Sequence, residues 1–261
     1  SDKYLDMQDC TKAYADATAD ADGYKKIKTN LPKGTETVHL VANVPGLTEA
    51  QAAKLDAMKD ITPDLSKPIC WRAKTLSDLM NDSKISLTRQ CAKVTVKTSV
   101  SNFEITDLHV WHSASKGSIA PAGYKESTKD DDLATSTELN SKYIAGGPAA
   151  VVAVNETSAG KADIIIKAKY KGTEGFYKVA LYYKEDDGKT AQYALVRNHN
   201  YIVKVKSVND AGYATEAEAL KADPENRLMV TVVDDNPEIV DMIACKDYEL
   251  GVCGTQPVDA S

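Results

Sequence analysis

Arginine, phenylalanine and tryptophan are scarce in this chain of 261 residues. It has only two phenylalanines and two tryptophans, and its net charge is −6. Nucleic-acid binding depends on basic patches that neutralise phosphates, so an acidic chain without such a patch predicts no nucleic-acid partner. No apolar run approaches the roughly 18 residues of a membrane span, so no transmembrane segment is predicted. The few arginines are Arg72, Arg89, Arg197 and Arg227.

The cysteines are also thinly spread, and none of them forms a CxxC pair. Their spacing therefore does not support a zinc knuckle or a thioredoxin-like site. Cys91 falls on an apolar strand position and is interpreted as a small buried hydrophobe. Cys245 and Cys253 could pair in an oxidising compartment, and the odd count leaves at least one thiol free. The full set is Cys10, Cys70, Cys91, Cys245 and Cys253.

Catalytic and metal-binding motifs are missing. The sequence has no GxSxG elbow, P-loop, dinucleotide-binding fingerprint or HExxH motif. His109 and His112 have a spacing familiar from zinc sites, but residues three apart on a strand point to opposite faces. The stretch "DATADADG" would place Thr18 and Thr29 where a calcium loop needs Asp and a bidentate Glu. We therefore predict no enzyme activity, no metal site and no cofactor.

What the chain does have is alternation of apolar and polar residues with period 2. "AKVTVKTSV" (92–100) and "KADIIIKAKYKG" (161–172) alternate apolar residues with lysines, as half-buried strands do. "FEITDLHVW" (103–111) alternates as well, then shifts register near Asp107, as a bulge would. Helical signals are few: one covers Leu47–Met58, and another begins at a predicted N-cap, Thr215, with Glu218 three residues later.

A polar, turn-rich stretch from about Lys116 to Asn140 divides these strands into two groups. We therefore predict a mostly β protein of two β-sandwich domains, with a Greek-key or transthyretin-like arrangement and a few short helices. The predicted domains are residues 1–119 and residues 120–261.

The stretch "YALVRNHNYIVKV" (193–205) concentrates polar residues between two apolar runs. Arg197 and His199 resemble catalytic machinery, but nothing nearby supplies a general-base partner. Asparagines satisfy backbone groups in turns, and Tyr201, Val203 and Val205 then carry an apolar strand face. We interpret the cluster as the entrance to a strand, in which Arg197 and His199 organise structure.

Three segments, taken in order, resemble a known family. "LPKGTETVHLVANVPG", "LTRQCAKVTVKTSVSNFEITDLHVWHSASKGSIAP" and "FYKVALYY…YALVRNHNYIVKVKSVNDAGYATEAEAL" are similar to successive segments of the fimbrillins, the type V pilins of Bacteroidales surface fimbriae. The resemblance spans roughly residues 31–235 and does not distinguish stalk, tip and anchor subunits. The first 26 residues match the family poorly, and no arginine precedes Arg72 to mark a maturation cleavage site.

The resemblance implies an extracellular fimbrial subunit, made as a lipoprotein precursor and attached to the outer membrane. Its partners would be other fimbrial subunits, joined by β-strand exchange, and a ligand on a host or bacterial surface. Strand exchange adds a strand through main-chain hydrogen bonds, with alternate side chains setting the register. The C-terminal "DYELGV" alternates in this way, so the donor-strand candidates are Asp247, Tyr248, Leu250 and Val252.

A second interpretation is a surface carbohydrate-binding β-sandwich protein or a glycan-processing enzyme. It predicts a groove lined by aromatic residues and, for an enzyme, two carboxylates about 5–9 Å apart. The small number of tryptophans and phenylalanines does not favour this alternative. Tyr124 and Tyr143 are candidate ligand contacts, with packing against the sheet as the alternative for each.

Overall fold

The computed structural model describes residues 4–21, 23–121, 137–148, 150–185, 188–224 and 227–235. Within these ranges the protein is mostly β, as the alternation predicted. The strands are β1 Thr37–Ala42, β2 Lys59–Asp60, β3 Cys70–Thr75, β4 Thr88–Arg89, β5 Ala92–Thr98, β6 Phe103–Ser113, β7 Lys116–Gly117, β8 Ser141–Gly146, β9 Val151–Val154, β10 Asp163–Tyr170, β11 Thr173–Val179, β12 Tyr182–Lys184, β13 Thr190–Gln192, β14 Asn200–Val208 and β15 Leu228–Asp235. The helices are α1 Thr11–Asp16, α2 Glu49–Ala52, α3 Leu76–Asn81 and α4 Glu216–Lys221.

Two four-stranded sheets form a β-sandwich. One has the order β11-β10-β6-β8 and the other the order β15-β14-β5-β9. The inner faces carry the alternate residues that the sequence pattern selects: Val94 and Val96 of β5 are fully buried, and Ile164 and Ile166 of β10 lie opposite them in the same core. Burial of these branched side chains stabilises the sandwich by about 1.5–3 kcal/mol each.

The predicted irregularity in β6 is present. Along the pairing of β6 with β10, Asp107 lies opposite Lys167 and Ile105 lies opposite Ala168, so Thr106 has no partner residue. An extra residue of this kind is a β-bulge, which increases the local twist.

The central pair of the second sheet is parallel: β5 and β14 run side by side with Val94 opposite Tyr201 and Val96 opposite Val203. Both sheets therefore combine strands from before and after residue 119. The division into domains at residue 119 stays a prediction.

The preceding part of the chain forms a smaller three-stranded sheet, in the order β1-β3-β4. Trp71 of β3 is 1% exposed and packs in a separate cluster with Leu55 and Ile119. Its indole Nε1 donates to Nδ1 of His39 across the sheet at 3.2 Å. Because Ile119 follows β7, this cluster connects the small sheet to the chain that leaves the sandwich.

Of the two predicted helices, the one at Thr215 is confirmed and the other is much shorter than predicted. At α4, the Thr215 hydroxyl accepts from the Glu218 backbone and the Glu218 carboxylate accepts from the Thr215 backbone, which is the predicted capping box. The segment Leu47–Met58 is helical only over α2, which also has a capping box. The longer helix is wrong because the chain turns after Ala52 and buries Leu55 against Trp71.

Candidate functional site

Arg197 is half of a buried ion pair between loops. Its guanidinium Nη2 lies 2.6 Å from Oε2 of Glu156, and the two side chains are only 5% and 1% exposed. Nη1 donates to the Ile119 carbonyl at 2.8 Å and Nη2 to the Ser118 hydroxyl at 3.2 Å. The pair therefore joins the loop after β7, the loop after β9 and the loop before β14.

The polar residues that follow Arg197, which are Asn198, His199 and Asn200, connect β5, β14 and β15. Asn198 adopts φ +63°, a left-handed conformation that asparagine tolerates. His199 Nδ1 lies 2.8 Å from Oδ2 of Asp234 at the end of β15, and Thr95 of β5 donates to the Asn200 amide oxygen at 3.0 Å. Because β14 begins at Asn200, the interpretation of this cluster as a strand entrance is confirmed.

The two histidines of "HVWH" do not converge on one site. His109 is buried and its Nδ1 contacts Glu216 of α4, whereas His112 is largely exposed, with φ +53° and its Nδ1 2.7 Å from Oδ2 of Asp163. Within the described ranges no three histidine, cysteine or acidic side chains are grouped as metal ligands.

Glu216 is the centre of a polar cluster that the sequence patterns did not predict. Its Oε1 accepts from Trp111 Nε1 at 2.6 Å and contacts His109, and its Oε2 accepts from Lys142 Nζ at 2.8 Å. The ammonium group also lies 4.0 Å from the centre of the Trp111 ring. Burial raises the pKa of Glu216, but hydrogen bonds from Lys142, His109 and Trp111 outweigh it and lower the pKa below its usual value. The cluster thereby attaches α4 to β6 and β8.

The outer edge of β15 is the best candidate for an interaction site. In the described part of the chain, β15 pairs with β14 on one side and with no strand on the other. Met229 and Val233 are 57% and 39% exposed, while Val230 and Val232 point inward and are only half-buried against the core. An unpaired strand with apolar side chains beside it is a surface on which another strand can be added.

The facing edge, at β11, is closed by the chain before α4. Phe176 and Tyr213 exchange two backbone hydrogen bonds, each 2.9 Å long. A Cβ atom at Gly212 would lie only 2.7 Å from the carbonyl carbon of Gly175, so this contact requires glycine. The contrast between β11 and β15 makes β15 the open side of this end of the sandwich.

The edge strands β8 and β9 are weaker candidates for the addition of a strand. β9 has only four residues, and β8 exposes Ile144, which is 56% exposed. Tyr143 of β8 is half-buried against the core, and its hydroxyl lies 3.5 Å from the Asn155 amide nitrogen. Burial raises the pKa of Tyr143. Tyr143 therefore matches the packing alternative and not a ligand contact.

Several residues predicted from the sequence lie outside the described residues. These are Tyr124, Cys245, Cys253 and the donor-strand candidates Asp247, Tyr248, Leu250 and Val252. Among the described cysteines, Cys10, Cys70 and Cys91 carry free thiols, and Cys91 is buried as predicted. None of the helices in the described ranges is long and apolar enough to cross a membrane.

No protein-family profile matches the sequence, and no curated protein matches it. Solved structures of similar fold include the tip fimbrial protein Mfa3 of Porphyromonas gingivalis, with a TM-score of 0.49 and 10% identity over 76% of this chain and 79% of that one. A candidate cell adhesion protein of Parabacteroides distasonis has a TM-score of 0.48 and 13% identity over 76% and 75% of the two chains. One of Bacteroides eggerthii has a TM-score of 0.43 and 13% identity over 81% and 82%. At TM-scores below 0.5 these likenesses carry no argument about function.

Proposed function

We propose that the chain is a structural and adhesive subunit of a bacterial cell-surface fimbria attached to the outer membrane. The observation that carries the proposal is the outer edge of β15, which no strand of the described residues covers, with Val230 and Val232 half-buried beside it. The ordered succession of fimbrillin-like segments in the sequence supports the same function. No catalytic step is part of the proposal, because the polar clusters around Arg197, His199 and Glu216 connect elements of the fold.

In this proposal a strand from a neighbouring subunit binds to β15. A six-residue strand is about 20 Å long at roughly 3.4 Å per residue, so residues 247–252 fit within the eight residues of β15. Main-chain hydrogen bonds would supply affinity, and Tyr248, Leu250 and Val252 would cover Val230 and Val232.

The first experiment removes the donor. Deletion of residues 247–261 is expected to abolish polymerisation of the purified chain, measured by light scattering and electron microscopy. Leu250→Asp should have the same effect because it places a charge on the apolar face. Glu249→Gln is the matched control on the opposite face and should polymerise as wild type. Normal polymerisation of the deletion variant would overturn the strand-exchange mechanism.

A second experiment tests the acceptor separately. The deletion variant retains β15, so a synthetic peptide of residues 247–252 should bind to it, while the same peptide with Leu250→Asp should not. Hydrogen exchange should show slower exchange at β15 when the peptide is bound. Protection at β8 or β9 and none at β15 would show that the acceptor edge is elsewhere. Antibody labelling of intact cells tests the surface location.

A further inference from the structure

A cleft opens at the end of the sandwich, beside the hairpin of β12 and β13. Its volume is about 220 Å³, and its lining combines a charged pair, an amide and aliphatic and tyrosine side chains. Drug-sized ligands occupy pockets of about 300–1,000 Å³, so this cleft fits one small ring. It shares no residue with the β15 edge.

Asp163 and Lys178 form the polar wall of the cleft. Asp163 Oδ1 lies 2.9 Å from Lys178 Nζ, and the lysine also donates to the Leu220 carbonyl at 2.9 Å. His112 contacts the other carboxylate oxygen of Asp163 at 2.7 Å. These contacts hold a hydrogen-bond acceptor and a donor side by side, with charges that cancel. A neutral ligand therefore fits this wall better than an anion or a cation.

Gln192 brings an amide to the same cleft, next to a glycine in the left-handed conformation. Gly160 has φ +68°, and a Cβ atom there would lie 2.2 Å from Oε1 of Gln192. The turn at Gly160 thus makes room for the glutamine side chain. An amide both donates and accepts hydrogen bonds, so it suits a ligand with hydroxyl groups, which also do both.

The remaining wall is apolar and rigid. Leu181 and Tyr182 line the cleft together with Tyr193. The Tyr193 ring packs between two other rings, 4.6 Å from Tyr183 and 5.3 Å from Tyr201 between centroids, so its position is fixed. Such a surface suits the C–H face of a sugar ring.

We propose that this cleft binds a single neutral hexose unit of a surface glycan. Adjacent hydroxyls of the sugar bridge Asp163 and Lys178, Gln192 contacts a further hydroxyl, and the ring lies against the apolar wall that includes Leu181, Tyr182 and Tyr193. The role of this site in adhesion by a fimbria rests on the proposed function. The binding itself is a property of the single chain, so it is tested without polymerisation.

The test titrates the full-length chain carrying Leu250→Asp, which is expected not to polymerise, with neutral sugars (glucose, galactose, mannose and N-acetylglucosamine) and follows amide shifts by NMR. At least one sugar should shift the amides of residues 158–163, 178–182 and 192–193. Gln192→Ala and Lys178→Met should each weaken binding about tenfold or more, because each removes a hydrogen bond to the ligand. Gly160→Ala should weaken it as well, through displacement of the glutamine.

Lys206→Met, on the exposed part of β14, is the matched control and should leave binding unchanged. Thermal unfolding of each variant separates loss of binding from loss of fold. The proposal is overturned if no hexose shifts these amides, if glycine or another zwitterionic amino acid binds instead, or if both variants bind as wild type. Failure of strand exchange would leave these binding results unaffected.

Discussion

The ion pair between Arg197 and Glu156 is the buried interaction whose loss should cost the chain most. Replacing Arg197 with Met removes the guanidinium but leaves the Glu156 carboxylate 1% exposed. Its remaining donor would be the backbone nitrogen of residue 197, at 3.3 Å. Removing one partner of a buried pair typically lowers the free energy of unfolding by about 3–5 kcal/mol. That is a large part of the roughly 5–15 kcal/mol that stabilises a domain.

The assay is urea unfolding at pH 7, followed by tryptophan fluorescence. Glu156→Leu combined with Arg197→Met removes both charges, so a double-mutant cycle should give a coupling energy of about 2 kcal/mol or more. The double variant is not expected to regain full stability, because the Ile119 carbonyl loses its donor at 2.8 Å.

Arg227→Met is the matched control. Arg227 pairs with Asp210 at 3.2 Å; the aspartate side chain is 66% exposed and the arginine side chain 27% exposed. The guanidinium also lies 3.8 Å from the centre of the Tyr213 ring. Its loss should cost about 1–2 kcal/mol, less than the loss of the buried pair. If Arg197→Met costs no more than Arg227→Met, the ion pair does not hold the loops together and the reasoning fails.

Three further predictions concern α4 and the thiols. The pKa of Glu216 is lowered in the fold, so its contribution to the free energy of unfolding is complete above its usual pKa and is lost as pH falls through the lowered value. Glu216→Gln should therefore flatten the acid limb of a curve of stability against pH. An unchanged limb would contradict this. Thr215→Ala should lower the free energy of unfolding by about 1 kcal/mol, measured by urea unfolding, with Thr215→Ser as the control that keeps the cap. Burial raises the pKa of Cys91 to about 11 and raises that of Cys70 as well, so iodoacetamide at pH 8.5 should label Cys10 in the native protein but label the other two only after denaturation. Rapid native labelling of Cys91, detected by peptide mass spectrometry, would show that its burial is wrong.

The positions of most strands, and the apolar face of each, follow from the order of residues within each segment. The alternation around Val94 and Ile164 is local, and each strand buries the face that the pattern selects. The bulge near Asp107, the strand entrance before Asn200 and the cap at Thr215 were also predictable, because each depends on residues a few positions apart.

Only the tertiary structure decided which elements meet. Period 2 does not specify a neighbour, so nothing local indicated that β5 would pair in parallel with β14, whose Asn200 lies 107 positions after its partner Lys93. The partners of Arg197 and His109 could not be predicted for the same reason. Glu156 lies 41 positions from Arg197, and Glu216 lies 107 positions from His109. Long-range pairing likewise places β15 at the edge of its sheet in the described part of the chain. Contacts that close such long loops are chosen by the packing of the whole core, which no short stretch of sequence encodes.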